Sequence, residues 1–153
     1  LTPADAARFA GFRSVKRRIE FLVGRLMIYR FFGTDFTIEE SGKPVSTHGY
    51  FSLTHSGNLV ALVISDSPVG IDAENTTRTR NYQGVSRFLH LGACDDKQTF
   101  YRRFTQYEAD FKMGDVKRKK QHFFWMWKTY LICVAHDRGG RLPPVYQYFP
   151  TTE

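Results

Sequence analysis

The run FSLTHSGNLVALVISDSPVGIDAE, residues 51–74, decides the fold. It divides into FSLTHS (51–56), LVALVIS (59–65) and VGIDAE (69–74), each short, rich in β-branched or aromatic residues and bounded by turn formers. Three extended strands are predicted, the last two joined through Asp66-Ser67-Pro68 as an antiparallel hairpin. In the third, Asp72 and Glu74 stand two residues apart, so both carboxylates project from one face, about 7 Å apart along the strand. Two acids so placed repel unless a cation lies between them, and hard oxygen ligands of this kind suit Mg²⁺. Taken alone, a D-x-E pair is more simply a solvated strand edge.

Upstream, SVKRRIEFLVGRLMIYRFF (14–32) sets Val15, Ile19, Leu22, Val23, Leu26, Met27 and Arg30 at three- and four-residue steps, which predicts an amphipathic helix with Ser14 as N-cap. Its polar side carries Lys16, Arg17, Arg18 and Arg25, positive charge gathered where it opposes the helix dipole. An anionic partner and plain solvation account for that face equally well. ESGKPVSTHG (40–49) reads as a loop or hairpin connection.

Downstream, Asn75 to Gly84 reads as a polar loop, followed by helices over Val85 to Leu91 and Thr99 to Met113. In the second helix Phe104, Tyr107 and Phe111 are the expected apolar stripe, and Glu108 and Lys112 lie four residues apart on an adjoining face. The basic run Lys117 to Lys120 leads into FFWMWKTYLICVAHD (123–137), whose aromatic and β-branched content predicts one or two strands closing a sheet. Gly139-Gly140 and Pro143-Pro144 are expected to end the ordered domain.

The whole chain sets bounds on these readings. Its 153 residues allow one compact domain or two small lobes, and 42% apolar with 16% aromatic content is globular, not disordered. A net charge of +7 favours anionic partners without choosing among nucleic acid, membrane, phosphorylated small molecule and acidic protein. Cys94 and Cys133 stand far apart with no zinc-finger spacing, which suits a reducing cytoplasm. No apolar run approaches the ~20 residues of a membrane span. The first residue is Leu, which points to a processed or truncated chain.

FSLTHSG, PVGIDAEN and FTQYEADFK follow one another in an order and at intervals that carry a specific resemblance. The chain resembles the 4'-phosphopantetheinyl transferase superfamily, with its S-x-S-H-S, G-[IV]-D-x-E and [WF]-[ST]-x-K-E-[AS]-x-x-K segments, here spread from Ser52 to Lys112. KRRIEFLVGR (16–25) and Gly42-Lys43-Pro44 resemble its larger, surfactin- and siderophore-synthetase-activating branch, in a shortened form.

The resemblance implies an α/β (α+β) fold of two pseudo-symmetric lobes, residues 1–75 and 76–153, each a helix on a short antiparallel sheet with the active site between them. It implies Mg²⁺, with Mn²⁺ as a substitute, held by Asp72, Glu74 and Glu108, and coenzyme A as substrate. Glu108 would also be the general base, with Lys112 on the pyrophosphate and His55, beside Thr54 and Ser56, on the 3'-phosphate. Arg17, Arg18, Arg25 and Lys43 are further candidates for coenzyme A. The implied partner is an acidic acyl or peptidyl carrier protein, with no nucleic acid and no membrane, and the enzyme is expected to be a cytoplasmic monomer. Lys117 to Lys120 are the candidate carrier-docking run, a solvated loop being the plainer reading.

Two departures stand out: Tyr107 replaces the usual Lys before Glu108, removing a cation, and Phe104 stands where Trp is commoner. Ala73 between the two acids bears on packing only. Two other readings compete. A non-catalytic relative would bind coenzyme A or a carrier without turnover, and Tyr107 is its best support. A metal-dependent nuclease would use Asp72, Glu108 and Lys112, but it expects its second acid and lysine two residues apart on a strand and leaves THSG and GKP unexplained.

Overall fold

The computed structural model describes residues 1–39, 43–116, 119–137 and 145–148. Gly42, Lys117, Arg118, Gly139-Gly140 and Pro143-Pro144, named above, lie outside the described residues. The elements run α1 (Pro3–Ala10), α2 (Val15–Phe32), β1 (Thr37–Ile38), β2 (Pro44–Val45), β3 (Tyr50–Ser56), β4 (Leu59–Ser65), β5 (Val69–Asn75), α3 (Tyr82–Phe88), α4 (Lys97–Met113), β6 (Lys120–Trp127), β7 (Tyr130–Asp137) and β8 (Val145–Tyr148). The architecture is α+β, as expected: four helices and three small antiparallel sheets among the described residues.

The sheets stack between two long helices. One has the order β3-β4-β8 and the other β5-β7-β6, while β1 and β2 form a two-stranded ribbon. Leu59, Ala61 and Val63 of β4 meet Ile71 and Ala73 of β5 and Ile132 and Val134 of β7 in one core between the sheets. The opposite face of β4 puts Leu62 under Ile28 of α2, with Phe51 of β3. Burial on both faces is why LVALVIS is a continuous apolar run and does not alternate. Beyond the second sheet, Cys133 and Ala135 of β7 pack on Ala109 and Met113 of α4.

Gly70 permits that last contact. A Cβ there would collide with the carbonyl oxygen of Ala109, so α4 lies against β5 backbone to backbone.

Four expectations are corrected. The segments 59–65 and 69–74 do not pair as a hairpin; β4 pairs with β3 and β8, and β5 pairs with β7. The Asp66-Ser67-Pro68 turn instead carries the chain from one sheet to the other. β8 lies beyond the Gly and Pro pairs expected to end the domain and pairs with β4, so the sheets exchange strands across residue 75.

On α2 the buried residues are Gly24, Arg25 and Ile28, while Val15 and Leu26 are exposed, because α1 covers Arg25 and supplies Asp5 to neutralise it. On α4 the buried stripe is Phe100, Tyr101, Thr105, Ala109 and Met113, leaving Tyr107 and Phe111 exposed. A small alanine at the closest approach outweighs the larger aromatics as the packing residue.

Candidate functional site

The site begins with a row of hydroxyls. Period-two alternation along β3 turns Ser52, Thr54 and Ser56 toward β5. Ser52 Oγ accepts from the Ile71 N–H and Ser56 Oγ from the Asn75 N–H, both at 3.1 Å. Both strands are sheet edges here, and the hydroxyls satisfy backbone donors that burial would otherwise strand. Ser56 is thus held by backbone and is a structural member of the row.

Thr54, between them, meets a side chain instead. It donates to Asp72 Oδ1 at 3.2 Å and accepts from Lys112 Nζ at 3.2 Å, while Lys112 also donates to Asp72 Oδ1 at 2.7 Å. Three predicted residues from β3, β5 and α4 therefore meet at one oxygen. The other oxygen of Asp72, Oδ2, is buried without a hydrogen-bond partner.

Glu74 is also buried and receives Arg80 at 2.9 Å. Burial, with the Asp72 charge adding to it and Arg80 opposing, pushes the Glu74 carboxyl up to about 7. Burial raises Glu108 as well, again reinforced by Asp72 and opposed by Lys112 and Arg80. The Asp72 charge thus reaches both Glu74 and Glu108, and the unpartnered Asp72 Oδ2 is a hard oxygen of the kind that suits a divalent cation. Among the described residues no three acids, histidines or cysteines stand together as a closed metal cluster. Lys112 and Arg80 take the positions of positive charge beside Asp72 and Glu74.

Lys112 also borders a cleft of about 510 Å³ between α2, β3 and the end of α4. Its walls carry Arg8, Arg17, Arg25, Lys43 and Lys112 against the single acid Glu20, with Phe12, Phe21, Phe51, Phe111 and Pro44 as apolar surface. Cations mixed with aromatic and proline faces suit a polyphosphate bearing a flat base. Within it Arg17 donates to His55 Nε2, and His55 Nδ1 faces Glu20 at 3.5 Å. Burial lowers the His55 pKa, opposed by Glu20 and reinforced by Arg17 and Lys112, so the ring is neutral at pH 7.

The candidate cations separate. Arg17 and Lys43 line the cleft, and Lys43 Nζ donates to the Lys112 carbonyl at 3.0 Å, tying the β1–β2 ribbon to the end of α4. Arg18 turns away, donating to the Phe12 carbonyl at 2.8 Å and lying over the Phe9 ring. Arg25 lines the cleft floor but is 4% exposed and committed to Asp5 at 2.7 Å, with Tyr29 donating to the second Asp5 oxygen. Its first role is to hold α1 on α2.

Sequence reasoning missed Arg80 and Glu20. Arg80 sets a cation beside Glu74, and its guanidinium lies over the Phe104 ring at 5.4 Å. Its only sequence signal is the closeness of T-R-T-R to D-A-E. Glu108 and Lys112 both lie on helix α4, whereas the nuclease reading expects its second acid and lysine two residues apart on a strand.

No family model matches the chain, and no curated protein matches it in sequence.

Proposed function

We propose that the chain is a divalent-cation-dependent 4'-phosphopantetheinyl transferase that moves the arm of coenzyme A to a serine of an acyl or peptidyl carrier protein. The observation that carries this reading is the Asp72 node. One oxygen binds Lys112 and Thr54, the other is buried unpartnered, and burial together with the Asp72 charge raises Glu74 and Glu108. Such a node, opening on a cleft of cations and aromatics, fits a pyrophosphate brought in with a cation.

Asp72, Glu74 and Glu108 would hold Mg²⁺ or Mn²⁺, which when bound supplies charge neutralisation at the pyrophosphate. Lys112 would meet the same phosphates from the end of α4. Arg17 and His55 would bind the 3'-phosphate, and Pro44 with Phe111 would flank the adenine. Burial, reinforced by the Asp72 charge, raises the Glu108 carboxyl above its ordinary value, which makes it a stronger base for the serine proton. In the transfer the serine oxygen bonds to the β-phosphorus and its proton passes to Glu108. The bond from that phosphorus to the bridging oxygen breaks, and 3',5'-adenosine bisphosphate leaves with the electron pair.

The buried free thiols Cys94 and Cys133 suit a reducing cytoplasm. Among the described residues no helix is long and apolar enough to cross a membrane. The test of function is the appearance of 3',5'-adenosine bisphosphate and a carrier heavier by one phosphopantetheine arm. Tight coenzyme A binding without either product would favour the non-catalytic reading.

A further inference from the structure

Two cavities adjoin at the opposite end of α4 from the cleft. The smaller, about 80 Å³, is lined by Arg78, Arg80, Lys97 and Tyr101, among others. The larger, about 640 Å³, is a groove between the first turns of α4 and strand β6, lined by Lys97, Tyr101, Arg102, Phe124, Met126 and Leu131 among others. Lys97 and Tyr101 belong to both, so the two form one continuous surface. Among the described residues, no acidic side chain lines either cavity.

The cations are held in place by aromatics. Arg102 lies over the Phe124 ring at 4.0 Å and Lys97 over Tyr101 at 5.9 Å. Between them the apolar floor is open, with Met126 at 55% exposure. At one end the surface reaches the reaction centre, because Arg80 is the partner of Glu74. A cationic rim around an apolar groove fits an acidic amphipathic helix, with its carboxylates on the rim and one or two apolar side chains in the groove. A second copy of this chain fits poorly, since a net charge of +7 and four rim cations would face their own kind.

We propose that this surface, and not the run Lys117 to Lys120, docks the acidic carrier protein. The identity of the partner rests on the transferase reading; the shape and charge of the surface do not.

The experiment uses the full chain, wild type and the variants R102E, M126D and K119E, with a fluorescently labelled apo acyl carrier protein. Binding is followed by anisotropy without coenzyme A, and transfer is followed separately with coenzyme A and Mg²⁺. Melting temperatures confirm that each variant is folded, as expected for exposed positions. R102E and M126D should each weaken carrier binding by roughly tenfold or more, as loss of a central interface residue does. Both should raise the KM for carrier while leaving that for coenzyme A within about twofold, and K119E should match wild type.

Wild-type carrier affinity in both R102E and M126D overturns the docking surface, whatever the transfer assay shows. Weakened binding in those variants with no transfer by wild type keeps the surface and overturns the transferase reading. Neither binding nor transfer by wild type overturns both.

Discussion

Lys112 near the end of α4 and Asp72 in β5 form a 2.7 Å ion pair, and Thr54 of β3 bonds to both. A helix and both sheets are thereby tied at the Asp72 carboxylate. The pair also stands across the place where Gly70 lets helix and strand touch.

Breaking the pair from either side should give unequal results. Lys112→Ala leaves the buried Asp72 carboxylate with Thr54 alone, and because Lys112 is partly exposed it should cost about 2 kcal/mol, below the full price of a buried pair. Asp72→Ala also loses the pair but relieves Glu74 and Glu108, so its stability should stay within about 1 kcal/mol of wild type. Urea denaturation at pH 7.5 measures both. Transfer should be lost in each.

Glu74 gives the molecule a pH signature. Its carboxyl titrates at about 7 in the folded protein against 4.5 in its ordinary state, so the folded form holds the proton more tightly. Stability therefore falls as pH rises from about 4.5 to about 7, by up to roughly 3 kcal/mol in total. Glu74→Gln should match wild type near pH 4.5 and exceed it by about 2–3 kcal/mol at pH 8. Adding Mg²⁺ at pH 8 should stabilise wild type and not the variant, and thermal melts with and without the metal check this.

His55 should couple coenzyme A binding to protons. The free ring is neutral, burial being the main cause, whereas a phosphate dianion beside it favours the charged form. Binding then takes up a proton, so the preference for coenzyme A over its 3'-dephospho form should grow as pH falls from 8 to 6. His55→Ala should cut that preference by roughly tenfold at pH 6 and make it independent of pH. Calorimetry in two buffers of different ionisation enthalpy reads both effects.

Arg25 and Arg17 should behave oppositely. Asp5→Asn or Arg25→Ala strands a buried charge between α1 and α2 and should destabilise by about 3 kcal/mol. Arg17→Ala, on an exposed turn beside His55, should change stability by less than about 0.5 kcal/mol and weaken coenzyme A binding several-fold. Denaturation and calorimetry on the same samples separate the two roles.

These contrasts show what the sequence makes legible. The common face of Asp72 and Glu74, the turn between Glu108 and Lys112, the α2 span and its Ser14 cap are all local, fixed by the strand and helix periods. What sequence hides is long-range. Turn chemistry at Asp66-Ser67-Pro68 looks the same whether the next strand pairs back or crosses to another sheet, and here it crosses.

The pairing of β8 with β4 spans about eighty residues and leaves no local mark. The α2 stripe misleads because Arg25 is buried with a partner twenty residues earlier, on a helix with only a short apolar pattern. Arg80 escapes for a similar reason: its meaning comes from the Glu74 carboxylate and the Phe104 ring, which only the fold brings together.

The central claim is most directly tested by incubating the full chain with a fluorescent coenzyme A analogue, Mg²⁺ and a panel of apo carrier proteins, then resolving the carriers by mass. The account predicts that at least one carrier gains the labelled arm on a serine, and that Asp72→Ala, Glu74→Ala and Glu108→Ala each lose most of that labelling while remaining folded. Labelling that persists in all three variants, or a complete absence of labelled carrier with wild type, would contradict it.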